Sequence, residues 1–419
     1  MPEVRPLNAL HYDLARVGSL DAVAAPPYDV IDAEARRELV ARSPFNVVEL
    51  DLPEDPGGGD PYEHAGATLE KWIAEGVLVT DGGEAVWALE QEYDAPDGSR
   101  RTRHGVLARV RVSEYGAGAV RPHERTQPGP REDRLRLTRA TRHNLSPIFS
   151  LHPGDAWRHV EAARGGDPWG EIGDDGGTVN RVWRIADSEA LAALSAELAD
   201  AELLIADGHH RYETARAYAE EVGGEGPHRY TLMCLVSLSD PGLTVFGYHR
   251  LLRNLEAPER HEALAAALRE HFEIDEVALE ALDPAGEEGP GVFGYVDAHL
   301  RRGFRLRLKE ASLEVLEAAL GERSAAYRRL DAVILETLVL GGALGMSAED
   351  IAAKRGIGYA KSAGEAIGAL DGGWHAAFLM RPTPVEQVRA VAAAGETMPP
   401  KSTFFFPKIP TGIAFNPLS

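Results

Sequence analysis

An α/β fold of the α+β kind is predicted for this 419-residue chain by three observations. Apolar runs of strand type alternate with stretches of helical spacing through the middle of the sequence. The run Leu203-Leu204-Ile205 passes through a polar turn into a stretch with Tyr212, Ala215, Ala219 and Val222 at helical spacing. Two further apolar runs, 86–93 and 103–112, flank Asp97-Gly98-Ser99, the residue types of a hairpin turn. At this length two or three domains are expected.

Residues 1–115 read as an N-terminal α+β region. Pro26-Pro27-Tyr28-Asp29 forms a rigid turn, a helix follows through Arg36 and Leu39, and Asn46-Val47-Val48-Glu49-Leu50 reads as a strand. The Pro- and Gly-rich residues 53–61 form a surface loop, residues 62–75 a helix, and the two hairpin strands close the region. Residues 116–253 form the core. Here a basic helix is expected over 131–142, a strand over 146–151, and a Gly-, Asp- and Trp-rich surface loop over 153–178. A helix over 187–198 takes Asp187 or Ser188 as its N-cap. Strands over 203–205 and 231–238 bracket the helix over 211–222, and His249-Arg250 reads as the end of a strand. Residues 254–419 form a C-terminal α+β region with helices over 260–272, 332–344 and 384–394 and another opening at Ser347. Strands are expected over 291–295, 304–308 and 376–380. The three phenylalanines at 404–406 require that the tail be tied down against the body.

Composition narrows the function classes. With 44 basic against 66 acidic residues the net charge is −22, which argues against sequence-independent binding of nucleic acid or of an anionic membrane. Cys234 is the single cysteine, so no disulfide framework or thiolate metal cluster exists, as suits the cytoplasm. No secretory signal pattern is evident at the N-terminus. The most apolar stretch, 332–346, is short and carries Glu336, which fits a buried helix.

Three segments concentrate reactive side chains. The first is Asp207-Gly208-His209-His210-Arg211, at a strand-to-helix turn where backbone N–H groups and the helix dipole favour an anion. Arg211 adds a planar fork suited to phosphate. The second is Pro122-His123-Glu124-Arg125-Thr126, and the third Pro400-Lys401-Ser402-Thr403 beside the phenylalanines. Adjacent histidines on a turn seldom share one ion, and no His-x-Glu or His-x-x-x-His pair supports a metal reading. Neither a phosphate-binding Gly-x-x-x-x-Gly-Lys-Ser/Thr loop nor a Gly-x-Ser-x-Gly elbow is present.

On these segments, together with Ala25-Pro26-Pro27-Tyr28-Asp29-Val30-Ile31, Ser43-Pro44-Phe45-Asn46-Val47-Val48 and the tail 398–408, the chain resembles the domain of unknown function 1015 family over its full length. Asp207-Gly208-His209-His210-Arg211 is also similar to the signature of the ParB/sulfiredoxin superfamily. The free-serine kinases of that superfamily carry a Pro-His-Glu segment, an Asp-Gly-His-His-Arg turn and a Pro-Lys-Thr-Thr stretch in this order. The resemblance implies a ParB/sulfiredoxin-like core with additional N- and C-terminal α+β regions. It departs in four places: His209 stands where sulfiredoxin needs cysteine, no DNA-reading element is evident, the stretch between Glu124 and Asp207 is longer than in the serine kinases, and residues 1–115 have no counterpart.

The implied activity is nucleotide-dependent phosphotransfer to a small hydroxyl compound, with free L-serine the first choice of acceptor. Glu124 and Asp207 are the catalytic candidates. Gly208, His209, His210 and Arg211 are candidates for holding the nucleotide phosphates, and His123, Arg125, Lys401, Ser402 and Thr403 for holding the substrate. Mg²⁺ with ATP or ADP is the expected cofactor, with Asp207 the candidate Mg²⁺ ligand. The partners are then a nucleotide and a small molecule, with no nucleic acid and no membrane, and a homodimer is the oligomer considered. Two alternatives stay open: a phosphoserine phosphatase, and a ParB-like nucleotide-binding switch without small-molecule catalysis.

Overall fold

The computed structural model describes residues 2–80, 82–95, 98–126, 128–174 and 176–419. The fold is mixed α/β, in two compact units that are each discontinuous in sequence. The first runs to Pro122 and takes in Thr126–Thr244 and Pro407–Ser419; the second takes His123–Arg125 and Val245–Phe406.

The first unit is built on a sheet that has nine strands among the described residues. From one edge the order is Val120–Arg121, Leu203–Asp207, Ile148–His152, Tyr230–Ser237, Arg100–Arg111, Val86–Asp94, Val179–Ile185 and Gly170–Gly173, with Val4–Arg5 also pairing with Arg100–Arg111. Tyr230–Ser237 lies parallel to Ile148–His152 and is buried along its whole length, which explains its unbroken apolar run. Val106, Ala108, Ile148, Leu203, Ile205, Met233 and Leu235 form the core against Leu194 and Leu198 of the helix Ser188–Leu198. Asp187 caps that helix by accepting from the Glu189 and Ala190 N–H groups. The strands of residues 86–111 thus share one sheet with those of residues 120–237. Burial pushes the Cys234 thiol up to about 12, so it is inert at neutral pH.

Two local expectations change. Residues 46–50 do not form a strand: Val48–Asp51 is a short helix, because Asn46 folds the chain before it. Its Oδ1 accepts from Val48 N–H, and its amide donates to the Ala22 and Ala24 carbonyls. Residues 153–178 are not all loop, since Trp157–Ala163 is helical and Gly170–Gly173 adds the last strand. Asp97 of the hairpin turn lies outside the described residues, but its flanking strands pair from Trp87–Leu107 to Asp94–Arg100.

The second unit has a sheet of six antiparallel strands among the described residues. Their order is Phe272–Val277, Arg302–Leu308, Val292–Asp297, Ala376–Leu379, His249–Leu252 and Ile357–Ala360. Phe272, Phe293, Leu306 and Phe378 pack against Leu264, Leu268, Leu316, Ile334 and Val339 from the helical layer. The helix expected over 332–344 is interrupted: Asp331–Leu335 is α-helical, and Glu336–Gly341 widens into a π-turn ahead of a second glycine, Gly342. No helix of the described residues is long and apolar enough to cross a membrane.

Candidate functional site

In the first unit the strand Leu203–Asp207 delivers Asp207 to the top of the sheet, and Gly208 turns the chain into the helix His209–Val222. Gly208 has φ +95°, and a Cβ there would lie 3.0 Å from the Arg211 guanidinium carbon. Glycine is therefore required twice, by backbone conformation and by close approach. Because the helix begins at His209, His209 and His210 sit in its first turn, with His209 buried.

Asp207 is held between two cations. Its Oδ2 accepts from Arg211 Nη2 at 2.8 Å, and its Oδ1 accepts from Lys408 Nζ at 2.8 Å. Burial pushes the Asp207 carboxyl up, but Lys408 and Arg211 outweigh it and hold it far below the usual carboxylate range. Asp207 is thus a permanent anion at neutral pH and a poor proton acceptor. Arg211 also buttresses the turn: its Nη1 donates to Ser146 Oγ at 3.0 Å and to the Pro147 carbonyl. Lys408 was not singled out from the sequence. Its placement depends on Gln91 Nε2, which donates to the Lys408 carbonyl at 3.0 Å, and on Arg103, which is fully buried and donates to the Pro407 carbonyl and to Gln91. Burial lowers Arg103 to about 10, still charged at neutral pH.

The Pro26-Pro27-Tyr28 turn belongs to the same unit. Ala25 pairs with Thr411, whose hydroxyl meets Ser146 Oγ at 2.8 Å, and the Tyr28 ring lies 4.1 Å from the Arg134 guanidinium. A small cavity of about 40 Å³ is lined by Asp51, Arg134, His143, Ser146, Arg211 and Thr214. Residues 1–115 therefore supply side chains around the Asp207 turn.

The other two segments meet in the second unit. Glu124 bridges to Met398 in parallel register, Met398 N–H donates to the His123 carbonyl at 2.7 Å, and Arg125 Nε donates to Thr397 Oγ1 at 3.1 Å. His123 Nε2 lies 2.9 Å from Thr403 Oγ1, and Ser402 Oγ donates to the Pro399 carbonyl at 2.6 Å. His123, Ser402 and Thr403 are buried, so these contacts shape the segment. Lys401 has φ +59°, a left-handed conformation that costs a non-glycine residue about 1–2 kcal/mol. Arg250 Nη1 donates to the Lys401 carbonyl at 3.0 Å, and Lys401 Nζ stands 5.1 Å from the centre of the Tyr248 ring. Arg250, read from the sequence as a strand end that could also line a site, thus holds this turn.

The donor set does not build a protein-held Mg²⁺ site. Both Asp207 oxygens already face cations, and among the described residues no group of three or more His, Cys, Asp or Glu side chains could hold a metal.

A mixed α/β protein with a clamped carboxylate at a strand-to-helix turn is the class that fold and site define. Residues 4–333 match the family described as a protein of unknown function, DUF1015, and the chain belongs to that family. No curated protein matches the sequence. Among solved structures the chain is similar to a free serine kinase in complex with AMP, at 14% identity over 70% of this chain and 88% of that one, with a TM-score of 0.35. It is also similar to SbnI with a C-terminal truncation from Staphylococcus aureus, at 12% identity over 74% and 87% of the two chains, TM-score 0.36. A conserved hypothetical protein from Pyrococcus furiosus gives 15% identity over 70% and 90%, TM-score 0.36.

Proposed function

We propose that the protein is a nucleotide-dependent phosphotransferase acting on a small hydroxyl compound, with free L-serine as its acceptor. The observation that carries this reading is the Asp207 turn. A left-handed glycine opens a helix N-terminus beside Asp207, Arg211 and Lys408, whose charges sum to one net positive. Such a turn favours phosphate oxygens through backbone N–H groups and the helix dipole, and Lys408 joins His209 and His210 as a phosphate-holding residue. Phosphoryl transfer demands positioning and charge balance more than covalent chemistry.

In the proposed step the acceptor oxygen bonds to the terminal phosphorus as the bond to the bridging oxygen breaks. The electron pair leaves with a nucleotide shorter by one phosphate. Glu124 takes the hydroxyl proton. Asp207, held anionic, accepts no proton; it orients Lys408 and Arg211 around the phosphate. No step is routed through a metal ion. The single backbone bridge between Glu124 and Met398 supports a defined position for the base, and the left-handed Lys401 turn supports an acceptor-binding role.

The test incubates the protein with ATP, ADP or CTP, Mg²⁺ and amino acids, and follows phosphate by ³¹P NMR. O-phosphoserine formation that falls at least about 100-fold in Glu124→Gln and in Asp207→Asn is expected. Full activity in both folded variants, or phosphate release from phosphoserine without nucleotide, would overturn the assignment, the second in favour of a phosphatase.

A further inference from the structure

The second unit holds buried polar atoms that the phosphotransfer step leaves unused. Arg250, 1% exposed, lies on the strand His249–Leu252, flanked by Ala376–Leu379 and Ile357–Ala360. Its Nη1 is engaged by the carbonyls of Tyr248 at 2.7 Å and Lys401 at 3.0 Å. Its Nε and Nη2, which together form the side-on fork of a guanidinium, are buried and meet no acceptor. Tyr359 is the cross-strand partner of Arg250, with the guanidinium 4.9 Å from its ring centre, and its hydroxyl is also buried without a partner. The fourth such atom is Oε1 of Glu336, the first residue of the π-turn.

These groups belong to one electrostatic cluster. The Arg250 charge acts on Glu336 and on Tyr359, and Glu124 acts on both Arg250 and Tyr359. A buried donor or acceptor left without a partner is costly, more so when it is charged. Four such atoms on three side chains therefore call for a polar occupant. The Nε–Nη2 edge matches the two oxygens of a planar carboxylate. Tyr359 and Glu336 are each only partly buried as residues, so the cluster borders the surface although these four atoms do not reach it.

We infer that Arg250 is the carboxylate-binding residue for a small hydroxy or amino acid. The Arg250 fork takes both carboxylate oxygens and the Tyr359 hydroxyl donates to one of them. Glu336 accepts from the ammonium or hydroxyl on the neighbouring carbon. The inference rests on the proposed phosphotransfer for the fate of this acid, not for its binding.

Binding is measured calorimetrically with the full chain and no nucleotide. The probes are L-serine, glycerate and ethanolamine, the last being serine without its carboxylate. Wild type binds L-serine at least about 100-fold more tightly than ethanolamine, since a site built around a polar group rejects the analogue lacking it. Arg250→Lys and the milder Tyr359→Phe each weaken L-serine about 10-fold or more and leave ethanolamine unchanged. If Arg250→Lys does not fold, Tyr359→Phe decides. Equal wild-type affinity for serine and ethanolamine, no binding of serine or glycerate, or unaltered serine binding in folded Tyr359→Phe would overturn the inference. Carboxylate binding that persists while no nucleotide yields phosphoserine keeps the fork and removes the phosphotransfer reading instead.

Discussion

Replacing Gly208 with alanine isolates the backbone requirement of the turn. At φ +95° an L-residue is strained by about 1–2 kcal/mol. The new Cβ would also stand 3.0 Å from both the Cζ and Nε atoms of Arg211. That guanidinium cannot step aside freely, because Ser146, the Pro147 carbonyl and Asp207 all accept from it. Loosening one charge-assisted bond adds about 1.5–3 kcal/mol, so Gly208→Ala should destabilise the first unit by about 2.5–5 kcal/mol. Urea unfolding followed by tryptophan fluorescence suits the measurement: Trp72, Trp87, Trp157, Trp169 and Trp183 lie in the first unit and only Trp374 in the second. Gly208→Asn serves as control, since asparagine tolerates left-handed backbone better but keeps the Cβ contact. A loss below about 0.5 kcal/mol in Gly208→Ala would refute both the strain and the contact.

Lys408→Met leaves Asp207 with Arg211 alone and should cost about 2–4 kcal/mol at pH 7. The native Asp207 carboxyl lies below its ordinary 3.8, so its stabilisation is present above that pH and lost as pH falls. The variant's deficit should therefore shrink in acid, and an equal deficit at pH 7 and pH 3 would contradict the clamp. Glu336 has the opposite sign: burial raises it from 4.5 to about 7, so the native state holds the extra proton and stability falls as pH rises through that interval. The fall is about 3–4 kcal/mol at about 1.4 kcal/mol per pK unit. Hydrogen exchange over 331–341 should show it in wild type and not in Glu336→Gln, and parallel profiles would disprove it.

The Asp207 turn was legible because its chemistry is local: strand, glycine and helix follow one another within a dozen residues, and so do the acid and the arginine that pair. What completes the clamp was not legible, because Lys408 is 201 positions from Asp207 and looked like the end of a docking tail. Arg250 escaped for a related reason. A lone arginine in an apolar strand carries no sign that one nitrogen will hold the Lys401 carbonyl and two others will lack acceptors. Asn46-Val47-Val48 misled because β-branched residues favour strands, whereas the Asn46 amide, by binding the Ala22 and Ala24 carbonyls, made a helical turn the better solution. The edge strand Phe272–Val277 was hidden by its acids, of which Asp275 is answered by Arg307 at 2.9 Å. The interruption at Glu336 left no periodicity to read.

The return of Pro407–Ser419 to the first unit sets an order of events during synthesis. Most of that unit's sheet has left the ribosome before the second unit is made, yet Asp207 faces only Arg211 until Lys408 emerges. A nascent chain stalled anywhere short of Lys408 therefore carries the turn without its second cation. The Asp207 carboxylate would thus gain its second cation only after the whole of the second unit has been made.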